Sequence, residues 1–202
     1  MTDCNSKRLF DSCRPVNGTD LQTYEQVVQD YIGAWRERSA EELKNFQTRP
    51  TLDKAIEYAG LAKKPNGKRF DHQRRRRPAA LHHATARLMN AKAELQACRD
   101  FDELVQLVHD TIGPIQDIGP LMIYDTALRL GAFLGHEPTK VYLHAGTKDG
   151  AKVLGLDGRA TCLPVSVFPK AFHRLRPHEI EDCLCLYKTV LRKIATARGP
   201  TK

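Results

Sequence analysis

The chain has 202 residues, a formal net charge of +8 and a hydrophobic fraction of 41%. This length and composition suit one compact domain, and no apolar run is long enough to cross a membrane. The polar N-terminus lacks the apolar core of a secretion signal, which predicts a cytoplasmic protein. The six cysteines form no Cys-x-x-Cys pair and share no zinc-ligand spacing with histidine, so neither a metal nor another cofactor is expected.

The first half of the chain is predicted to be helical. Residues 1–17 are expected to be disordered, and 18–198 to form a single, mostly α domain. A helix is expected over about 19–37 after a cap at Thr19 or Asp20. Ser39-Ala-Glu-Glu42 has the pattern of a capping box for a shorter helix. Apolar residues at helical spacing predict two more helices, at 51–62 and 78–97.

A strongly basic segment, residues 63–77, lies between these last two helices. It holds eight cations and one acid, a net charge of +7, which leaves the rest of the chain close to +1. Pro65-Asn-Gly67 marks a turn, so the segment is expected to be a mobile surface loop that binds a polyanion. Phe70 and His72 are candidates for stacking on a base. The predicted phosphate contacts are Lys68, Arg69, Arg74, Arg75, Arg76 and Arg77.

The composition of the basic segment is also compatible with a solvated charge run, a membrane-surface patch or an RNA-binding arm. Membrane binding is not expected, because no large apolar residues lie opposite the cations.

The middle of the chain predicts two helices joined by a tight turn. Asp100 or Asp102 caps the first helix, and Gly119 caps the second, with Pro120 at its first position. The intervening Ile115-Gln-Asp-Ile118-Gly119 resembles the helix-hairpin-helix motif of DNA-repair proteins. In that motif, backbone N–H groups bind one nucleic-acid phosphate. The resemblance assigns this contact to Ile118 and Gly119.

Asp117 departs from the motif, which has glycine at this position. Aspartate tolerates the left-handed conformation better than most residues, so the turn can form. The alternative is an ordinary turn between two packed helices.

The last third of the chain predicts one more helix, from Pro177 to about Ile194, with apolar residues on one face and cations near its end. Two short apolar segments before it, 140–144 and 160–167, are either strands or extended loops.

Residues 100–156 resemble the helix-hairpin-helix DNA glycosylase superfamily. The family follows its hairpin with Val-Asp-Thr-His and then Leu-Gly-Leu; this chain has Val141-Tyr-Leu-His144 and Leu154-Gly-Leu156. The resemblance implies that Tyr142 occupies the position of the catalytic aspartate, and Leu121 that of the lysine of bifunctional members. Any catalysis therefore requires a displaced group. The candidates are Asp125, His144 and Asp149.

The resemblance implies a monofunctional DNA glycosylase that excises a damaged or modified base and leaves an abasic site. Its partner would be DNA, bound through phosphates and one flipped base, with a nucleoid-associated location. The alternative is a non-catalytic DNA-binding module of a repair, mobile-element or phage-defence system, which the missing aspartate favours. A third possibility is a helical protein-interaction scaffold whose basic segment is incidental.

Overall fold

A computed structural model describes residues 20–198, and the prediction of disorder for 1–17 lies outside this range. The described part is mostly helical, which confirms the predicted fold class. Its α-helices are α1 (Tyr24–Ala34), α2 (Arg36–Gln47), α3 (Leu52–Gly60), α4 (Pro78–Asn90), α5 (Lys92–Ala97), α6 (Phe101–Ile112), α7 (Pro120–Leu134), α8 (Ala145–Val153), α9 (Pro177–Leu186) and α10 (Lys188–Arg198). Its strands are β1 (Lys140–Tyr142) and β2 (Cys162–Pro164).

The described residues divide into two compact units. We call residues 40–137 the hairpin unit, and residues 20–39 with 138–198 the terminal unit. The chain passes from one unit to the other twice, within α2 and between Glu137 and Pro138. Within residues 20–198, no helix has both the length and the apolar character needed to span a bilayer.

The hairpin unit is built from packed helices. Helix α3 begins after Thr51, whose Oγ1 accepts a hydrogen bond from the Lys54 N–H at 3.3 Å. Helices α3 and α4 approach closely at Gly60, where a Cβ would lie 2.5 Å from Thr85 Oγ1. The core is apolar and includes fully buried Ile56, Leu81, Leu88, Leu104 and Ile112.

The predicted single helix at 78–97 is two helices in the structure. The helical path breaks at Ala91, which has φ −89° and ψ 17°, and α5 resumes at Lys92. The break coincides with the burial of Leu95, which is fully enclosed. Tertiary packing therefore takes precedence over the high helix propensity of this alanine-rich stretch.

The start of the terminal unit corrects two predictions. Helix α1 begins at Tyr24 rather than near residue 19, because Thr23 and Gln26 form the capping box. Ser39 caps no helix: it lies inside α2, and its Oγ donates to Asp182 Oδ2 at 3.1 Å. A hydroxyl within a helix is suited to such a contact when a carboxylate lies opposite it.

The two short apolar segments are strands, paired antiparallel with Val141 opposite Leu163. The predicted C-terminal helix is divided at Tyr187 into α9 and α10. The Tyr187 ring is fully buried, and its hydroxyl donates to Asp30 Oδ2 at 2.5 Å. These elements enclose an apolar core that includes Val27, Val28, Phe172, Ile180 and Leu184.

Candidate nucleic-acid interface

Helices α6 and α7 form the predicted pair joined by a tight turn. Asp100 caps α6 through a hydrogen bond from the Glu103 N–H to Asp100 Oδ1 at 2.9 Å. Gly119 caps α7 and Pro120 takes its first position, as predicted. The Ile115 and Ile118 side chains are buried, and the Ile118 N–H donates to the Ile115 carbonyl at 3.0 Å. This internal bond occupies the Ile118 N–H that the resemblance assigned to a phosphate.

Gly119, the other residue predicted to contact a phosphate, precedes the first turn of α7. The N–H groups of Gly119, Leu121 and Met122 precede the point at which intrahelical acceptors become available. Their dipoles add to the positive end of the α7 helix. The turn therefore presents backbone donors of the kind that bind an anion.

Asp117 adopts the conformation that the sequence requires of it. Its φ is +75°, in the left-handed region that glycine usually occupies. The Arg77 Nε lies 3.0 Å from Asp117 Oδ2, and Arg76 Nη1 donates to the Asp117 carbonyl at 3.2 Å. The Asp117 carboxylate is thus paired with a cation, which weakens its repulsion of a nearby phosphate.

Two substitutions of Asp117 test this geometry. Both Asp117→Gly and Asp117→Ala remove the carboxylate, but only glycine adopts a positive φ without steric cost. The glycine variant is therefore expected to have a free energy of unfolding about 1 kcal/mol above that of the alanine variant. Urea denaturation followed by circular dichroism measures the difference. Equal stability of the two variants would contradict a left-handed residue 117.

The basic segment is folded and anchored rather than a loose loop. Lys63 and Arg69 form an isolated antiparallel bridge, with Gly67 at φ +76° in the turn between them. Lys64 is buried, and its Nζ lies 2.7 Å from Asp71 Oδ2. The expectation of a mobile loop is corrected by these contacts. The remaining cations are exposed at Lys68 and Arg74–Arg77, and half-buried at Arg69.

Phe70 is not available to stack on a base. Its side chain is only 2% exposed, and the Arg129 guanidinium lies 3.8 Å from its ring centroid. The side chain of His72 is 13% exposed, and its Nε2 lies 2.7 Å from Asp125 Oδ2. The predicted stacking role is therefore wrong for Phe70, because its ring completes the core beneath the segment.

Asp125 joins the basic segment to α7. Besides the contact with His72, Asp125 Oδ2 accepts a hydrogen bond from Gln73 Nε2 at 2.7 Å. The Asp125 side chain is only 14% exposed, so it faces the basic segment rather than the solvent. Its carboxylate orders His72 and Gln73, immediately before the four consecutive arginines.

Arg129 completes this network from one turn further along α7. Its Nη1 donates to Gln73 Oε1 at 3.0 Å, and its Nε and Nη2 each lie 3.3 Å from Glu42 Oε1. Its side chain is 3% exposed. Burial raises the pKa of Glu42 more than the charge of Arg129 lowers it. The segment is thus attached to α7 through the buried side chains of Gln73 and Arg129, and Arg129 extends the network to the partly buried Glu42 on α2.

Arg129, Gln73 and Glu42 are members of this network that no sequence motif predicted. A signal for Arg129 is its spacing from Asp125, because residues four apart on a helix are neighbours and this pair is acid and base. No comparable pattern marks Gln73 or Glu42, whose partners come from other elements.

The three catalytic candidates do not lie in one unit. Asp125 belongs to the hairpin unit, whereas His144 and Asp149 belong to the terminal unit. Asp149 is exposed within α8, not in a turn. His144 is buried at the N-terminus of α8, with its Nε2 2.6 Å from Glu181 Oε1. His144 and Glu181 form a buried pair that connects α8 to α9.

Within residues 20–198 the structure contains no group of three or more histidine, cysteine, aspartate or glutamate side chains placed to hold a metal ion.

Comparisons with known proteins assign no family to this chain. No family model, curated protein or solved structure matches it.

Proposed function

We propose that this protein binds DNA through the exposed cations of the basic segment together with the first turn of α7. The observation that carries the proposal is the contact of Arg76 and Arg77 with Asp117. Arg76 and Asp117, 41 residues apart in the sequence, meet there on one surface of the hairpin unit.

The charge distribution supports a polyanionic partner. Outside residues 63–77, the hairpin unit has seven Lys and Arg residues against twelve Asp and Glu. The basic segment is therefore the positive region of an otherwise acidic unit, and it attracts and orients a polyanion. Backbone N–H groups at a helix start add phosphate contacts that are independent of base sequence.

The anchored backbone favours binding over a passive charge run. His72 and Gln73 are attached to Asp125, and Arg69 Nη1 donates to the Arg76 carbonyl at 3.0 Å. A cation on an ordered backbone loses less conformational entropy when it meets a phosphate than one on a free loop. A protein-interaction scaffold with an incidental basic segment does not require such a network.

The arrangement favours the non-catalytic binding module over the glycosylase. Asp125 supports the basic segment through His72 and Gln73, and His144 is buried against Glu181. Base excision by one of these groups stays a prediction. Aldehyde-reactive labelling of unmodified, deaminated, alkylated, oxidised and hypermodified DNA tests it, because abasic sites on one substrate alone would establish a glycosylase.

The binding proposal is tested by the salt dependence of affinity for a short DNA duplex, measured by fluorescence anisotropy. Each phosphate contact contributes about −0.9 to the slope of log affinity against log salt. The combined substitution Arg74→Ala and Arg75→Ala is therefore expected to reduce the size of the slope by about 2.

A matched control removes the same charge from elsewhere in the hairpin unit. Lys92 begins α5, and Arg99 precedes the N-terminus of α6, whose opposite end leads into the turn before α7. The combined Lys92→Ala and Arg99→Ala variant is therefore expected to keep the wild-type slope. A wild-type protein without salt-dependent binding, or equal slopes for both double variants, would overturn the proposal.

A further inference from the structure

We infer that residues 165–176 of the terminal unit form a second surface that binds the phosphate backbone of nucleic acid. This inference rests on the proposed function for its choice of partner, but it concerns different residues in the other unit. It is carried by an ordered, acid-free, basic surface that the rest of the fold leaves exposed.

Three apolar side chains anchor this stretch. Phe168, Phe172 and Leu175 are 3%, 0% and 5% exposed, respectively. The Phe172 ring centroid lies 6.0 Å from that of Tyr24 and 6.4 Å from that of Phe168. Because these side chains point into the apolar core, the residues between them are directed outward.

Backbone hydrogen bonds hold the outward residues in place. Two short 3-10 turns, Val165–Val167 and Lys170–Arg174, contain bonds from the Phe168 N–H to the Val165 carbonyl at 3.1 Å and from the Leu175 N–H to the Phe172 carbonyl at 2.9 Å. His173 Nε2 also lies 2.9 Å from the Phe168 carbonyl oxygen. The exposed residues on this frame are Ser166, Val167, Lys170, His173, Arg174 and Arg176.

Lys170 and Arg174 have no acidic neighbour nearby in the sequence. The chain has no aspartate or glutamate from residue 158 to 178. The next acids, on α9, are committed to inward contacts. Glu179 Oε1 accepts from Arg36 Nε at 2.7 Å, Glu181 pairs with His144, and Asp182 Oδ2 accepts from the Tyr31 hydroxyl at 2.6 Å. Burial by itself would raise the pKa of Glu179. The hydrogen bonds from Arg36 and from the Arg176 N–H lower it by more, so the net shift is downward and Glu179 stays a paired carboxylate.

The composition of the surface favours a phosphate backbone over a lipid bilayer. Val167, 44% exposed, is the one large hydrophobic side chain that lies in the open among the described residues. A single valine supplies too little apolar area for membrane insertion, which requires a broad apolar face. Phosphates need only cations and hydrogen-bond donors at the surface.

The test uses the full chain with Lys170→Ala and Arg174→Ala combined. Both side chains are exposed, so the fold is expected to be retained, and a thermal melt checks this. Loss of two phosphate contacts is expected to reduce the size of the salt slope for a long DNA duplex by about 2. The control variant, Arg192→Ala with Lys193→Ala, removes two exposed cations from α10 of the same unit and is expected to leave the slope unchanged.

The outcomes separate this inference from the proposed function. Wild-type binding that is weakened by Arg74→Ala with Arg75→Ala, but not by Lys170→Ala with Arg174→Ala, would overturn only the second surface. Equal slopes for the α10 control and the Lys170/Arg174 variant would also overturn it, because the effect would then follow net charge alone. A loss confined to binding of anionic vesicles would assign the surface to lipid and contradict the inference.

Chemical footprinting measures the protection of Lys170 directly. Acetylation of lysines by a small reagent, followed by mass spectrometry, is expected to show Lys170 protected when the long duplex is bound. Lys193, on the control face, is expected to remain reactive. Unchanged reactivity of Lys170 in the complex would contradict the inference.

Discussion

Replacing Arg129 with methionine is expected to lower the free energy of unfolding by about 3–5 kcal/mol. The side chain is 3% exposed and makes its polar contacts with Gln73 and Glu42, above the ring of Phe70. Methionine keeps part of the volume but leaves the carboxylates of Glu42 and Asp125 without their buried cation. Urea denaturation followed by circular dichroism measures the loss.

The matched control is Arg99→Met, which removes an arginine of the same unit whose side chain is 84% exposed and pairs with Glu103. Solvent screens an exposed ion pair and leaves it little net effect on stability, so this variant is expected to resemble wild type. Combining Arg129→Met with Glu42→Gln and Asp125→Asn removes the orphaned charges and is expected to recover part of the loss. An Arg129→Met variant as stable as Arg99→Met would show that the network does not hold the hairpin unit together.

Asp125→Asn is expected to weaken DNA binding about tenfold through a loss of roughly 1.5 kcal/mol in a charge-assisted contact. The amide keeps one acceptor oxygen but not the charge that faces His72 and Arg129. The basic segment should then be ordered less often, so trypsin is expected to cleave faster after Arg74, Arg75 and Arg76; the Arg77–Pro78 bond resists trypsin. Anisotropy and timed proteolysis measure the two effects.

The same variant distinguishes a positioning residue from a catalytic one. A catalytic Asp125 predicts lost base release with unchanged binding and unchanged proteolysis, whereas a positioning Asp125 predicts that binding and proteolysis change together. Asp110→Asn, an exposed carboxylate on α6, is the control and should change neither. Wild-type behaviour of Asp125→Asn in both assays would contradict the positioning role.

Local signals in the sequence predicted the two helices and the turn between α6 and α7. Gly119 before α7, Pro120 at its first position and tolerance of a left-handed Asp117 follow from the conformational preferences of those residues. For the cap of α6 the sequence left Asp100 and Asp102 open, and the structure has Asp100. Boundaries that depend on packing were predicted less well. Ala91 and Tyr187 interrupt helices whose local propensity continues, because buried contacts on either side decide where each helix turns.

At the candidate interface, too, some features were predictable from the sequence and others were not. Counting charges was sufficient to find the basic segment, since a net charge of +7 in fifteen residues needs no structure to be recognised. The roles within it were not predictable. Phe70 and Lys64 belong to a segment whose composition is that of a surface loop, yet both side chains are buried. The Arg129 guanidinium lies over the Phe70 ring, and Asp71 pairs with the Lys64 ammonium. The contacts of Asp125 with His72 and Gln73 likewise could not be read from the sequence around Asp125.

Three features were predictable from the sequence: the mostly helical class, the turn between α6 and α7, and the location of the basic segment. Each depends on residues that are neighbours along the chain. Three findings required the folded chain. Arg76 and Arg77 contact Asp117. Arg129 joins Glu42 to Gln73, and the acids of α9 turn inward and leave residues 165–176 basic. These contacts join residues distant in sequence. A polar group that is buried without a hydrogen-bond partner is costly. Few arrangements of the folded chain give every buried polar group a partner, and this requirement decides which distant residues meet.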